Sequence, residues 1–106
     1  MKYALFKVKE GRLDQWRRWC SLLMDKNAYY DQAYKSVLDE GLITEAFFTF
    51  QLDDTWYALG CGAGEDKPAD PNLEVNKLHK QMKQECLEFI TKGQADYSFV
   101  ITEVLK

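Results

Sequence analysis

The segment LITEAFFTFQLDDTWYALGCGA, residues 42–63, holds two apolar, β-prone runs separated by two aspartates, Asp53 and Asp54. Adjacent aspartates favour a turn, so the pattern predicts a β-hairpin with strands at 42–52 and 55–63. Two paired strands need further elements to bury their apolar side chains, and the rest of the chain supplies them.

A two-residue loop fixes which residues face each other across the hairpin, and it places Glu45 opposite Gly62 and Phe47 opposite Gly60. One face then collects a mixed set: Glu45, Phe47, Thr49, Trp56, Ala58, Gly60 and Gly62. The other face is apolar: Ala46, Phe48, Phe50, Tyr57, Leu59 and Cys61. Glycines opposite larger side chains leave open volume. Parity alone leaves open which face meets the helices.

The hairpin is flanked on both sides by a strand and a helical segment. Residues 2–8 form a predicted first strand, and residues 12–40 show a helical pattern that ends at Gly41. An unbroken helix of that length would be about 43 Å long at ~1.5 Å per residue, so we expect a kink or an overhang. After the hairpin, Asp70 and Pro71 predict the start of a second helix.

We expect this second helix to run to about Thr91 and to end at Lys92 and Gly93, with a last strand at 96–104. The order β-α-β-β-α-β predicts a single α+β domain over residues 1–106, with ferredoxin-like topology: a four-stranded antiparallel sheet with two helices on one face. The strands are apolar on both parities, so the second face needs a cover. A homodimer through that sheet face is the simplest one.

Composition narrows the classes of function. The chain is 46% hydrophobic and 29% charged with a net charge of −3, and its basic residues are scattered, so we expect no nucleic-acid partner. Three cysteines form no CxxC motif, and none has metal-ligand spacing from His79, the single histidine. We expect free thiols, no metal, no membrane segment and a cytoplasmic location.

Four stretches carry a family resemblance: VKEGRLDQWRRW (8–19), EGLITEAFF (40–48), DTWYALGCGAGE (54–65) and the second helix with its histidine. Together they resemble the dimeric α/β-barrel superfamily, which includes antibiotic-biosynthesis monooxygenases and rhamnose-mutarotase-like proteins. The chain is most similar to an uncharacterised branch that has a Gly after the first strand, an EG…E…F segment and a His on the second helix. The matching positions are Gly11, Glu40, Gly41, Glu45, Phe48 and His79. The resemblance implies a small dimer with a pocket between helices and sheet, and it implies no metal or organic cofactor.

Departures from this superfamily limit what carries over. Haem-degrading members use an Asn on the first strand, and the first strand here, YALFKV (3–8), has none. Mutarotase-like members present a His early in the first helix, where this chain reads RLDQWRRW (12–19). The resemblance therefore transfers neither activity.

Glu45 and His79 are the candidate catalytic residues, because a Glu–His pair in a half-apolar cleft is a plausible general base. The alternative is a structural ion pair or a glutamate that reaches solvent. Candidate ligand-binding residues lie along the first helix: Trp16, Asn27, Tyr30 and Tyr34. For these, core packing with polar tips at the rim is the alternative.

Two functions remain open at this point. The first is binding of a small organic molecule in a pocket between helices and sheet, with cofactor-free acid–base chemistry. The second is a non-catalytic dimerisation or regulatory module that has no small-molecule substrate.

Overall fold

The computed structural model describes residues 1–101, which form seven elements in chain order. They are β1 (Lys2–Val8), α1 (Leu13–Leu23), α2 (Tyr30–Asp39), β2 (Leu42–Leu52), β3 (Thr55–Gly64), α3 (Glu74–Cys86) and β4 (Leu87–Gln94). The strands form one sheet in the order β2-β3-β1-β4, and every neighbouring pair is antiparallel. The predicted α+β class and four-stranded antiparallel sheet are confirmed, with three helices instead of two.

The β2–β3 hairpin has the predicted two-residue loop. Leu52 pairs with Thr55, and the backbone turns through Asp53, whose φ of 54° is in the left-handed region that Asp tolerates better than most residues. Glu45 pairs with Gly62 as predicted. This register fixes the two faces of the hairpin.

The predicted helix over residues 12–40 is wrong in one respect, because the chain leaves the helix after Leu23 and turns before α2 begins. The Asp25 side chain accepts a hydrogen bond from the Asn27 backbone N–H at 2.8 Å, which offers the chain an alternative to helical bonding. The Tyr29 N–H donates to the Leu22 carbonyl at 3.1 Å and closes the turn. Two short helices fit a domain whose longest extent is 36 Å.

The second helix and the last strand also differ from the prediction. α3 ends at Cys86, and Leu87 is already extended at φ −121° and ψ 144°, so β4 begins with no loop. Lys92 and Gly93, the predicted helix end, lie within β4. Residues 96–101 of the predicted last strand are not a strand, and 102–104 lie outside the described residues.

Cross-strand pairing explains why this segment is not helical. Leu87 pairs with Val8 and Phe89 pairs with Phe6. Strand β4 therefore provides hydrogen-bond partners for the backbone groups along the edge of β1. The Phe6 and Phe89 rings meet edge to face at 5.9 Å. The helical pattern of apolar residues continues beyond the end of α3, but pairing with β1 makes this segment a strand.

The start of α3 is capped by a side chain from α2. Gln32 Oε1 accepts a hydrogen bond from the Val75 backbone N–H at 3.1 Å, which satisfies one of the helix's first donors. Asp70, the predicted cap, instead accepts from the Asn72 N–H at 2.9 Å in the turn before the helix. Leu73 occupies the N-cap position.

All three helices contribute side chains to one hydrophobic core on the sheet face that carries Phe47. Its buried members are Val8, Trp16, Trp19, Ala58, Val75, Cys86 and Leu87. The opposite sheet face, called the far face below, comprises Tyr3, Leu5, Ala46, Phe48, Phe50, Tyr57, Leu59 and Cys61. Phe48 on this face is 56% exposed, and within residues 1–101 no element packs over it.

Two glycines of β3 provide a matched test of this packing. A Cβ on Gly60 would lie 2.7 Å from Phe47 Cζ. The Phe47 ring already packs against Trp16, with 5.3 Å between the ring centres. A Cβ on Gly62, in contrast, would have no neighbour closer than 3.9 Å. We expect Gly60→Ala to lower the free energy of unfolding by about 1–3 kcal/mol relative to Gly62→Ala, because the core cannot absorb the added methyl group. Urea denaturation measures the difference, and equal stabilities would contradict this packing.

Candidate functional site

A cleft of about 540 Å³ opens between the helices and the sheet, at the end where β1 begins and β4 ends. Its floor is two rows of paired residues that cross all four strands. The first row is Glu45, Gly62, Lys2 and Gln94; the second is Phe47, Gly60, Ala4 and Lys92. Small residues on the two central strands leave a trough between the edge strands β2 and β4.

The two glycines of the trough have different roles. The Phe47 ring rests directly on Gly60, so this position is filled by protein. A Cβ on Gly62 would meet only Leu42 Cδ2 and the Thr44 carbonyl oxygen, both at 3.9 Å, and Gly62 lines the cleft. Phe6, whose ring centre is 6.2 Å from that of Phe47, continues the apolar wall. The floor can therefore contact an apolar part of a ligand.

Six charged side chains surround the trough: Lys2, Glu40, Glu45, Asp66, Lys83 and Lys92. Lys2 and Asp66 form an ion pair at 2.8 Å. Backbone hydrogen bonds from Glu65 and Lys67 to the chain at Gly41 and Glu40 hold the Asp66 loop beside the start of β2.

Glu40 is held by α2. The Ser36 hydroxyl lies 2.8 Å from Glu40 Oε2 and 3.0 Å from Asn76 Oδ1, so its single proton is shared between two acceptors. Ser36 is buried, which makes this contact a fixed support for the Glu40 carboxylate. The acidic rim of the cleft is thus anchored to the α2–α3 interface.

Glu45 lines the cleft at its mouth, and the residue as a whole is exposed to solvent. Burial by the surrounding protein raises the pKa of its carboxyl, and the nearby Glu40 and Asp66 carboxylates raise it further while Lys83 lowers it. Such a group exchanges a proton closer to neutral pH than an ordinary glutamate does.

His79 lies deeper, in an aromatic cage. Trp19 Nε1 donates a hydrogen bond to His79 Nδ1 at 2.9 Å, which requires the neutral ring with its proton on Nε2. Ring centres of Trp16, Trp19 and Phe47 lie 5.8–6.1 Å away. Burial lowers the pKa of His79 to about 4, and the positive charge of Lys83 lowers it as well.

Glu45 and His79, which were predicted to form a pair, are not in direct contact in the structure of residues 1–101. Within residues 1–101, no hydrogen bond or ion pair joins the two side chains, and His79 does not line the cleft. Lys83 acts on the pKa of both groups and lines the cleft.

The four predicted ligand-binding residues of the first helix lie elsewhere. Trp16 is fully buried in the core, and its Nε1 has no hydrogen-bond partner among the described residues. Asn27 is exposed in the turn between α1 and α2. Tyr30 and Tyr34 stack on the outer surface of α2 at 6.2 Å, and Tyr34 is 55% exposed. None of the four lines the cleft that the described residues form.

Sequence reasoning missed most of the charged rim. Lys92 was assigned to a helix end, and only its position in β4 opposite Ala4 brings it to the trough. Lys83 reaches the cleft from α3, and Asp66 reaches it through a loop whose path no pattern predicts. Glu40 was noted only for its match to a family pattern.

Residues 1–101 contain neither a cluster of metal-binding side chains nor a membrane-spanning helix. No group of three or more His, Cys, Asp or Glu side chains in this range is arranged to hold a metal ion. No helix in this range is long and apolar enough to cross a membrane.

Comparison with known proteins gives one match. Residues 1–104 match a family model described as "Family of unknown function (DUF6176)". No curated protein and no solved structure matches the chain significantly.

The environment of His79 predicts a pH dependence of stability. Its pKa is about 4 in the folded protein against an ordinary 6.5, so the unfolded chain binds more protons between these values. We expect the contribution of neutral His79 to the free energy of unfolding to be complete above pH 6.5. This contribution should fall by about 3 kcal/mol as the pH drops to 4.

The contribution of this one residue is isolated by comparison with His79→Gln, which keeps an acceptor for Trp19 and does not titrate. Urea denaturation at several pH values should show a smaller loss for the variant. An NMR titration in which the His79 pKa is raised, and falls in Glu45→Gln, would instead show a Glu–His pair.

Proposed function

The chain belongs to the DUF6176 family, whose function is unknown, and we propose that it binds a small organic molecule in the cleft between helices and sheet. The observation that carries this proposal is the trough itself. Gly62 has room for a larger side chain beside Leu42, and an aromatic wall and six charged groups line the same cleft. Ligand sites commonly combine an apolar surface with a few polar groups in this way.

We further propose that Glu45 exchanges a proton with the bound molecule, without a metal or organic cofactor. Its raised pKa and its position in β2 opposite Gly62 support this role. In this proposal His79 is a positioning residue, because its ring packs against Phe47 in the wall of the cleft.

The fold assignment and the assembly belong to the same proposal. Central strands β1 and β3, with α1 and α2 as two halves of a first helix, support ferredoxin-like topology and a place in the dimeric α/β-barrel superfamily. The apolar far face supports a homodimer in which two sheets pack together. Three free cysteines support a cytoplasmic location.

The far face also supports a second candidate function, a non-catalytic dimerisation or regulatory module. Phe50 and Tyr57 stack at 5.6 Å on that face, and Phe48 beside them is 56% exposed. Apolar patches of this kind commonly mark an interaction surface. Under this second proposal the cleft has no ligand.

A substitution that fills the trough distinguishes ligand binding from a non-catalytic module. We expect a fragment library to shift the amide NMR signals of the cleft, and Gly62→Leu to abolish these shifts because its side chain enters the cleft that Gly62 lines. Ala63→Leu is the matched control, since the adjacent residue points to the far face. Cleft shifts that persist in Gly62→Leu, or a library that leaves the cleft signals unmoved, would contradict ligand binding there.

A pair of exposed aromatic residues tests the dimer. Phe48 on the far face and Tyr34 on α2 are exposed to almost the same extent, 56% and 55%. We expect sedimentation to show a dimer for the unmodified protein and for Tyr34→Arg, and a monomer for Phe48→Arg, because a charge at a packed sheet face is costly. A monomer in all three cases would remove the dimer from the proposal.

A further inference from the structure

Two carboxylates and one lysine of the cleft lie at opposite edges of the sheet. Glu45 is on the edge strand β2, and Lys92 is on the opposite edge strand β4. Glu40 stands beside the acidic end, at the start of β2. Three inter-strand spacings separate β2 from β4, which is about 14 Å between strand axes. Glu40 and Glu45 thus lie at one edge of the sheet and Lys92 at the other, while Lys83 of α3 is close enough to Glu45 to lower the pKa of its carboxyl.

The ion pair within the cleft leaves this separation in place. Lys2 and Asp66 neutralise each other at 2.8 Å. Within residues 1–101, neither Lys83 nor Lys92 has a carboxylate within 4.0 Å. The two ammonium groups and the Glu40 and Glu45 carboxylates are thus the charges that a ligand meets.

The surface between the two charged edges is apolar and open. Gly62 and Ala4 on the central strands have minimal side chains, and the rings of Phe6 and Phe47 form the adjoining wall. Glutamate and lysine side chains are long, and charged groups from both edges of the sheet line this one cleft. A ligand with only one charge would leave one edge without a partner.

We propose that the molecule bound in this cleft is a small zwitterion of the amino-acid class. Its ammonium group faces Glu40 and Glu45, its carboxylate faces Lys92, and its apolar part lies on the glycine trough. This inference rests on the proposed function, because it names the ligand class of the same site. Charge-assisted hydrogen bonds at both ends would give the site its selectivity.

Four probes of one size test the charge pattern. Phenylalanine carries both charges, phenethylamine carries only the ammonium, hydrocinnamate carries only the carboxylate, and hydrocinnamamide carries neither. Amide NMR titrations at the cleft measure the four affinities. We expect phenylalanine to bind about tenfold or more tightly than each of the other three, since each loses at least one charge-assisted contact.

Two variants assign each charge to its edge of the sheet. We expect Glu45→Gln to reduce the preference for phenylalanine over hydrocinnamate, and Lys92→Met to reduce its preference over phenethylamine. Lys80→Met on the exposed side of α3 is the matched control and should change neither preference. Variants that change both preferences equally would overturn the assignment of ends.

Two further outcomes test the zwitterion separately from ligand binding in the cleft. If hydrocinnamamide binds the cleft as tightly as phenylalanine, the zwitterion is overturned and ligand binding stands. If none of the standard amino acids shifts the cleft signals, the zwitterion is also overturned. The fragment screen with Gly62→Leu then decides independently whether the cleft binds a ligand.

Discussion

The register of the β2–β3 hairpin is the constraint on which the rest of this structure depends. A slip of one residue would turn Phe47 and Glu45 to the far face and bring Phe48 under the helices. The small residues of β3 would then no longer lie below the core and the cleft. The two-residue turn at Asp53 and Asp54 prevents this slip, because its length fixes which residues pair.

Local signals predicted much of the fold. Strand β1, the hairpin with its register and the break at Gly41 each follow from signals within a few residues, and the structure has them where the sequence indicates. The single long helix and the late last strand were wrong for another reason. Asp25 interrupts the helix through a side-chain bond, and β4 forms because β1 offers it a free edge. Neither influence is visible in hydrophobic spacing.

The candidate site was predictable only in part for the same physical reason. Glu45 stood out because a carboxylate opposite glycines inside an apolar strand is unusual, and it does line the cleft. His79 stood out as the single histidine, yet Trp19 and the aromatic cage hold it in the interior. The lysines that complete the rim come from α3 and β4, so only the packed structure brings them to Glu45.

The direct passage from α3 into β4 has a consequence for how this chain tolerates changes in length. The Lys9 N–H donates to the Cys86 carbonyl at 2.7 Å, and Lys9 Nζ donates to the Gln84 carbonyl at 2.7 Å, so the junction is tied to the end of β1. An inserted or deleted residue here has no loop to absorb it and would rotate α3 or reverse the faces of β4. Length variation in the family should therefore concentrate in the loop before α3 and be absent at this junction.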